Sequence, residues 1–288
     1  MNGIIIKGIG GFYYVRSADK TVYECRARGV FRKDGITPMI GDRVEIDAEG
    51  KTGSIVRIAE RKNSLIRPPV ANIDALVIVA AAASPSPSLF LIDKMILNAE
   101  INGIEPIICI NKTDLADGRD IEDIYKSASY RVFRISVKDN VGIDDILPVF
   151  KDKVTAFSGL SGVGKSSLLN RVAGINTQTG GVSEKIQCGK NTTRHVELFE
   201  LKDGGYVLDT PGFSSFEPEN IDALDLWRYF PEMADAGDKC RFRGCSHINE
   251  PDCAVKALLQ SGAIRESRYE SYKEIYEILK NKKGWTRK

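Results

Sequence analysis

The chain has no apolar run long enough to cross a bilayer. Its longest, Ala75–Ala83, falls well short of the roughly 18 residues a spanning helix requires. No secretory signal is expected at the N-terminus, and the expected compartment is the cytoplasm. Internal repeats and long low-complexity tracts are absent too. Cysteine is sparse, six in 288 residues, and three of the six crowd into Cys240–Cys253 beside His247. Without an export signal, that cluster reads as metal ligation rather than as disulfides. Cys25, Cys109 and Cys188 have no such neighbours, and Cys109 reads as a core residue on its strand.

Net charge is also nearly absent, +2 overall, but its distribution is uneven. Residues 1–70 hold 13 Lys and Arg against 8 Asp and Glu, and residues 262–288 hold 8 against 4, leaving the centre acidic. Basic ends suit a polyanion partner, although solvated faces would give the same count. Apolar content of 42% and charged content of 28% are those of a globular protein. The length suits two or three modest domains.

Residues 1–65 alternate in short segments, Gly3–Lys7, Phe12–Arg16, Thr21–Arg28, Arg43–Asp47 and Ser54–Ile58, separated by Gly-rich or charged turns. Five short strands predict a small β-barrel. Arg67-Pro68-Pro69 reads as an extended linker. Strands are then expected at Ile73–Ala80, Pro106–Ile110, Arg131–Ile135 and Val154–Ser158. Helices are expected between them at Leu89–Asn102, Ile121–Ser127 and Ile143–Phe150. That alternation predicts a parallel α/β sheet. Beyond about residue 215 no strand signal remains. A helix there carries an apolar stripe, Tyr269, Tyr272, Ile275, Tyr276 and Leu279, which reads as core packing.

Gly159-Leu160-Ser161-Gly162-Val163-Gly164-Lys165-Ser166 matches G-x-x-x-x-G-K-[ST] between a strand and the helical segment Ser167–Val172. Backbone N–H groups of such a loop curl around phosphates, and the helix N-terminus adds positive potential. Lys165 would neutralise β- and γ-phosphate oxygens, and Ser166 would ligate Mg²⁺. Asn111-Lys112-Thr113-Asp114, after Pro106–Ile110, fits the guanine-reading N-K-x-D. A carboxylate at Asp114 accepts from both N1–H and the 2-amino group of guanine. Adenine lacks that pair of donors and would leave the carboxylate unsatisfied. Ser136-Val137-Lys138 resembles the S-A-K loop that supports the base. Asp209-Thr210-Pro211-Gly212 fits D-x-x-G, with Asp209 in the Mg²⁺ shell and the Gly212 amide at the γ-phosphate; Thr192 or Thr193 would be the switch threonine on Mg²⁺.

The order of these motifs is informative. N-K-x-D and S-V-K precede the phosphate loop, the threonines and D-T-P-G, the reverse of the ordinary arrangement. A parallel sheet tolerates such a circular permutation when the old termini lie close together. With the barrel and the Cys/His tail, this order resembles the RsgA (YjeQ/YloQ-type) small-ribosomal-subunit biogenesis GTPases over essentially the whole chain. The resemblance implies a multidomain architecture: an OB-fold barrel in residues 1–66, a circularly permuted GTPase domain in 67–215, and a helical zinc-binding domain in 216–288. Asn111 to Asp114, Gly159 to Ser167 and Asp209 to Gly212 would then bind GTP. One structural zinc would sit on Cys240, Cys245, His247 and Cys253, and Mg²⁺ would accompany GTP on Ser166, Thr193 and Asp209. The partners implied are the small ribosomal subunit with its rRNA and GTP or GDP, for a monomer with no membrane contact.

Three thiolates and one imidazole form a closed tetrahedral set, as in structural rather than catalytic zinc sites. Two positions bear on turnover. Phe213 follows Gly212, where many GTPases place a Gln that orients water, so slow intrinsic turnover is expected. Where the family pattern G-[KR]-H-T-T puts a histidine, this chain reads Gly189-Lys190-Asn191-Thr192-Thr193-Arg194-His195. Asn191 and His195 are both candidates to position water, and packing within the switch is an equal alternative for His195. These departures favour a rival reading, an RNA-bound assembly factor holding GTP as a structural switch with negligible turnover. An ATP-using kinase is disfavoured by Asn111 to Asp114.

Overall fold

The computed structural model describes residues 1–33, 35–65, 68–174, 196–209 and 221–285, without the side chains of Arg32 and of residues 282–285. The chain divides into two compact units. One comprises residues 1–76, 144–158 and 165–213; the other comprises residues 77–143, 159–164 and 214–288.

The first unit opens with a closed barrel of β1 (Asn2–Ile9), β2 (Phe12–Ser17), β3 (Val22–Ala27), β4 (Arg43–Glu49) and β5 (Thr52–Ile58), in the order β1-β2-β3-β5-β4. β1 closes the ring on β4, Gly3 opposite Val44. Alternation puts Ile5, Val15, Cys25, Ile46 and Ile55 inside, each at most 2% exposed. Gly3 is required by close approach, since a Cβ there would lie 2.5 Å from Val15 Cγ1 and 2.7 Å from the Arg16 carbonyl oxygen. A five-residue helix, α1 (Gly29–Lys33), joins β3 to β4.

Pro68 and Pro69 do not hold an extended linker. β6 (Ser64–Leu65) and β7 (Val70–Ala71) pair antiparallel, so the prolines occupy the turn between them. Proline suits a turn as well as an extended linker, because its fixed φ serves both. Further along this unit, β11 (Val154–Ser158) leads through a loop to α5 (Lys165–Val172). β11 pairs parallel with β13 (Tyr206–Asp209), and β12 (Phe199–Glu200) lies antiparallel on the outer side of β13.

The second unit takes up β8 (Ala75–Ala81) from Val77 onward, then α2 (Leu89–Ile101), β9 (Glu105–Asn111), α3 (Arg119–Ser127) and β10 (Arg131–Arg134). β10, β9 and β8 run side by side in that order, with β9 and β10 parallel. β8 is buried along its whole length and β9 from Pro106 on, which is why both read as unbroken apolar runs. Ser88 caps α2 by accepting from Leu91 N. The helix expected at Ile143–Phe150, which past Ile143 belongs to the first unit, stops after one turn, α4 (Ile143–Ile146), and tightens into a 3-10 turn at Leu147–Val149. Pro148 has no N–H to continue the α ladder.

From residue 221 on, the described helices of the second unit are a 3-10 stretch Ala223–Tyr229, α6 (Pro231–Gly237), α7 (Ala254–Gln260) and α8 (Glu266–Trp285). The stripe on α8 packs as core, with Tyr272 and Ile275 at most 1% exposed against Trp227, Phe230, Met233 and Leu97. Arg268 is buried there too. It pairs with Asp93 of α2 and Glu232 of α6, each at 2.7 Å, with its guanidinium 4.7 Å from the Phe230 ring centre. Among the described residues no helix is long and apolar enough to cross a membrane.

Candidate nucleotide and metal sites

In the second unit, the end of β9 gathers three loops around Asn111. Its Nδ2 donates to the Val163 carbonyl at 2.9 Å, and its Oδ1 accepts from Val137 N at 3.2 Å. Its own carbonyl accepts from Ala82 N at 2.8 Å. Gly164 has a positive φ of 97°, and a Cβ there would stand 2.3 Å from Asn111 Nδ2. Glycine and asparagine therefore require each other at this point. Lys112 takes a left-handed φ of 65° and donates from Nζ to the Ser84 carbonyl. Thr113 N donates to the Ile135 carbonyl at 3.1 Å, fixing the N-K-x-D loop to the end of β10.

Asp114 accepts from Ser136 Oγ at 3.0 Å on one oxygen and faces Lys138 Nζ at 3.4 Å on the other. Burial alone raises its pKa, but the Ser136 hydroxyl and the Lys138 ammonium more than offset it, so the carboxyl lies below its usual range. Asp114 is thus held as a carboxylate, the state that accepts two guanine N–H donors. The structure brings all four residues of 111–114 together with Ser136 and Lys138. Residues Gly159, Leu160, Ser161, Gly162, Val163 and Gly164 form the start of the phosphate loop in this unit, with Gly159 and Gly162 also at positive φ.

In the first unit, α5 begins at Lys165, two residues earlier than expected, so that Lys165, Ser166 and Ser167 are its first turn. Their amides lie at the positive end of the helix. Burial lowers the Lys165 pKa and the Asp209 carboxylate, at the end of β13, raises it again. Asn191, Thr192, Thr193, His195, Gly212 and Phe213 lie outside the described residues, as do Cys188 and residues 286–288.

The Cys/His set is assembled in the second unit, with one donor atom from each of Cys240, Cys245, His247 and Cys253 within 4.8 Å of the others. His247 Nδ1 lies 3.4 Å from Cys240 Sγ and 3.5 Å from Cys253 Sγ, and those two sulfurs are 3.8 Å apart. A tetrahedron with about 2.3 Å zinc–sulfur and about 2.0 Å zinc–nitrogen bonds has edges of about 3.5–3.8 Å. The donor set therefore fits zinc. Burial pushes the Cys245 thiol up to about 12 and raises Cys253 as well, so a bound cation is what would hold them as thiolates. Burial lowers the His247 pKa, leaving the neutral imidazole that a metal needs.

Three supports of this loop are not evident in the sequence. Glu250 accepts from Ser246 N and Oγ at 2.8 and 2.9 Å and from Ile248 N at 3.3 Å. Tyr269 and Tyr272 of α8 donate to the carbonyls of His247 and Ser246 at 2.7 and 2.8 Å. The stripe on α8 marked those tyrosines as core and concealed their hydroxyls.

Barrel, parallel strands and a phosphate loop that follows the base-reading motif define a class: GTPases of circularly permuted order. The RsgA GTPase family model matches residues 58–219, and the RsgA N-terminal domain model matches residues 2–56. The chain belongs to the RsgA GTPase family and is a GTP hydrolase. It is 45% identical to the small ribosomal subunit biogenesis GTPase RsgA of Agathobacter rectalis, over 99% of this chain and 100% of that protein. The RsgA of Bacillus subtilis is also 45% identical, covering 98% of each chain. Among solved structures, YloQ, a circularly permuted GTPase, matches with a TM-score of 0.82 at 40% identity over 98% of this chain and 95% of its own. YjeQ from Thermotoga maritima matches with a TM-score of 0.83 at 36% identity over 96% and 98%.

Proposed function

We propose that this chain acts in biogenesis of the small ribosomal subunit, hydrolysing GTP to GDP and phosphate with turnover that the subunit stimulates. End-to-end similarity to relatives that carry that name is the observation behind the reading. In it, Asp114 reads guanine, Asn111 ties the base loop to the phosphate loop, and Ser136 and Lys138 shape the base pocket. The amides of 159–167 and the Lys165 ammonium hold the phosphates. Ser166, Asp209 and Thr193 would hold Mg²⁺, which supplies charge neutralisation at the leaving phosphate. Gly212 would meet the γ-phosphate, and Asn191 or His195 would orient water. Cys240, Cys245, His247 and Cys253 would hold one zinc in a structural role. The protein is read as a cytoplasmic monomer, with the basic barrel and C-terminal segment on rRNA.

Phosphate release with small subunits, with large subunits and alone tests the reading. Stimulation by small subunits only is expected. Negligible release in all three would leave the rival favoured by Phe213 and Asn191, a bound factor using GTP as a structural switch.

A further inference from the structure

In the first unit the barrel meets a short described segment, Val196–Glu200. The segment Val196–Glu200 follows the switch candidates Thr193 and His195 directly in the chain, and it is held to β1 and β2. The contact begins with a β-bulge. Along β1 the pairing with β2 passes from Ile5↔Val15 to Lys7↔Tyr14, leaving Ile6 out of the ladder. The Ile6 carbonyl accepts from Leu198 N at 2.9 Å. Lys7 and Glu197 form an antiparallel bridge and their side chains pair at 2.9 Å. Arg16 of β2 binds Glu200 through Nε at 2.7 Å and through Nη2, and Lys20 approaches the same carboxylate at 4.0 Å.

These contacts are not needed to close the barrel, which β1 and β4 complete through Asn2, Gly3 and Ile4. Nor do they bury much charge: the paired side chains stay 26–34% exposed. Half-exposed ion pairs of this kind add little to stability. What they do add is geometry. A bulge re-aims a strand where it occurs, and here it turns one barrel carbonyl to the stretch that leaves the switch. Two carboxylates flank that hydrogen bond, and each finds its cation on the barrel.

We propose that Lys7, Arg16, Glu197 and Glu200 are positioning residues for GTP hydrolysis. They fasten Val196–Glu200 to the barrel, so that a partner seated on the barrel changes turnover through this segment. The stimulation in this statement rests on the function proposed above. The strut itself rests on the bulge and the paired charges, and the two can fail separately.

The test uses the full chain with Lys7→Glu, Glu197→Lys and the double swap. With saturating small ribosomal subunits, Lys7→Glu should lower the ratio of stimulated to unstimulated kcat several-fold, while KM for GTP stays within twofold. The double swap should restore the ratio; a merely structural role predicts that the ratio does not move in Lys7→Glu at all. In parallel, hydrogen exchange at Leu198 and along β1 is compared between GDP and a non-hydrolysable GTP analogue, without subunits. A nucleotide-dependent difference is expected in the unaltered chain, lost in Lys7→Glu and regained in the swap. Stimulation of Lys7→Glu equal to that of the unaltered chain, or a loss the swap does not repair, overturns the strut. If subunits stimulate nothing, the function falls and exchange alone decides the strut; no nucleotide-dependent difference there overturns it.

Discussion

The two units fasten their parts in opposite ways. In the first, barrel and strand-edge segment are joined by Lys7–Glu197 and Arg16–Glu200, about a quarter to a third exposed. In the second, α8 is joined to α2 and α6 by Arg268, Asp93 and Glu232, at most 5% exposed. Both are ion pairs between segments far apart in sequence, yet water separates their energetics. A screened pair can break and reform at little cost, whereas a buried charge stripped of its partner is left uncompensated. The buried cluster suits a permanent joint. The exposed pairs suit one that yields when a ligand pulls on it.

The largest expected effect is at the second unit's Cys/His set. Removing zinc with a chelator, or replacing Cys245 with Ser, should release it and loosen the C-terminal helices. Structural zinc is worth on the order of 10 kcal/mol in small peptides, part of which the core around Trp227 and Tyr272 replaces here. Metal analysis should find one zinc per chain, and near-ultraviolet circular dichroism should report the loosening.

Arg268→Ala should come next, costing about 3–5 kcal/mol by denaturant titration, because Asp93 and Glu232 stay buried. A triple variant with Met at 268 and Leu at 93 and 232 should recover most of that loss. If Arg268→Ala proved as mild as a surface change, the contrast between the joints would collapse.

Asp114→Asn lies in the buried joint's unit but in the base loop rather than among the packed helices, so it sharpens the comparison differently. It should shift preference from GTP toward xanthosine triphosphate by roughly 10–100-fold, the equivalent of about 1–3 kcal/mol. Its unfolding midpoint should stay near that of the unaltered chain. Competition binding measures the first and denaturant titration the second.

Smallest is Lys7→Glu, expected to change stability by about 0–1 kcal/mol. A loss as large as that for Arg268→Ala would show the barrel joint to be a permanent one too.

The sequence discloses these joints unequally. Five barrel strands follow from period-two alternation between glycine turns, and Cys240, Cys245, His247 and Cys253 are legible because ligands so close in sequence must share a loop. Asp114 and Lys165 are legible through motif and strand context. The contacts that hold the loops around them are not. Asn111 takes its bonds from Val163 and Val137, residues meaningful only once three loops meet. Arg268 sits on a helix whose apolar stripe is plain, but its partner Asp93 is 175 residues away. The strand Phe199–Glu200 is two residues long, too short for any period to show. The Pro68-Pro69 turn reads as extended in the sequence because proline fits both conformations.

The bulge at Ile6 also sets a timetable. Synthesis delivers all five barrel strands by Ile58, but Glu197 comes 190 residues after the Lys7 it pairs with. At about 5–20 residues per second that gap lasts roughly 10–40 s. Once the barrel strands are made, the edge of β1 at Ile6 and Lys7 still waits for its partners Leu198 and Glu197. A charged side chain on such an edge discourages mispairing. Lys7 stands there from the start, so the cation that ends as Glu197's partner first serves the growing chain as a guard.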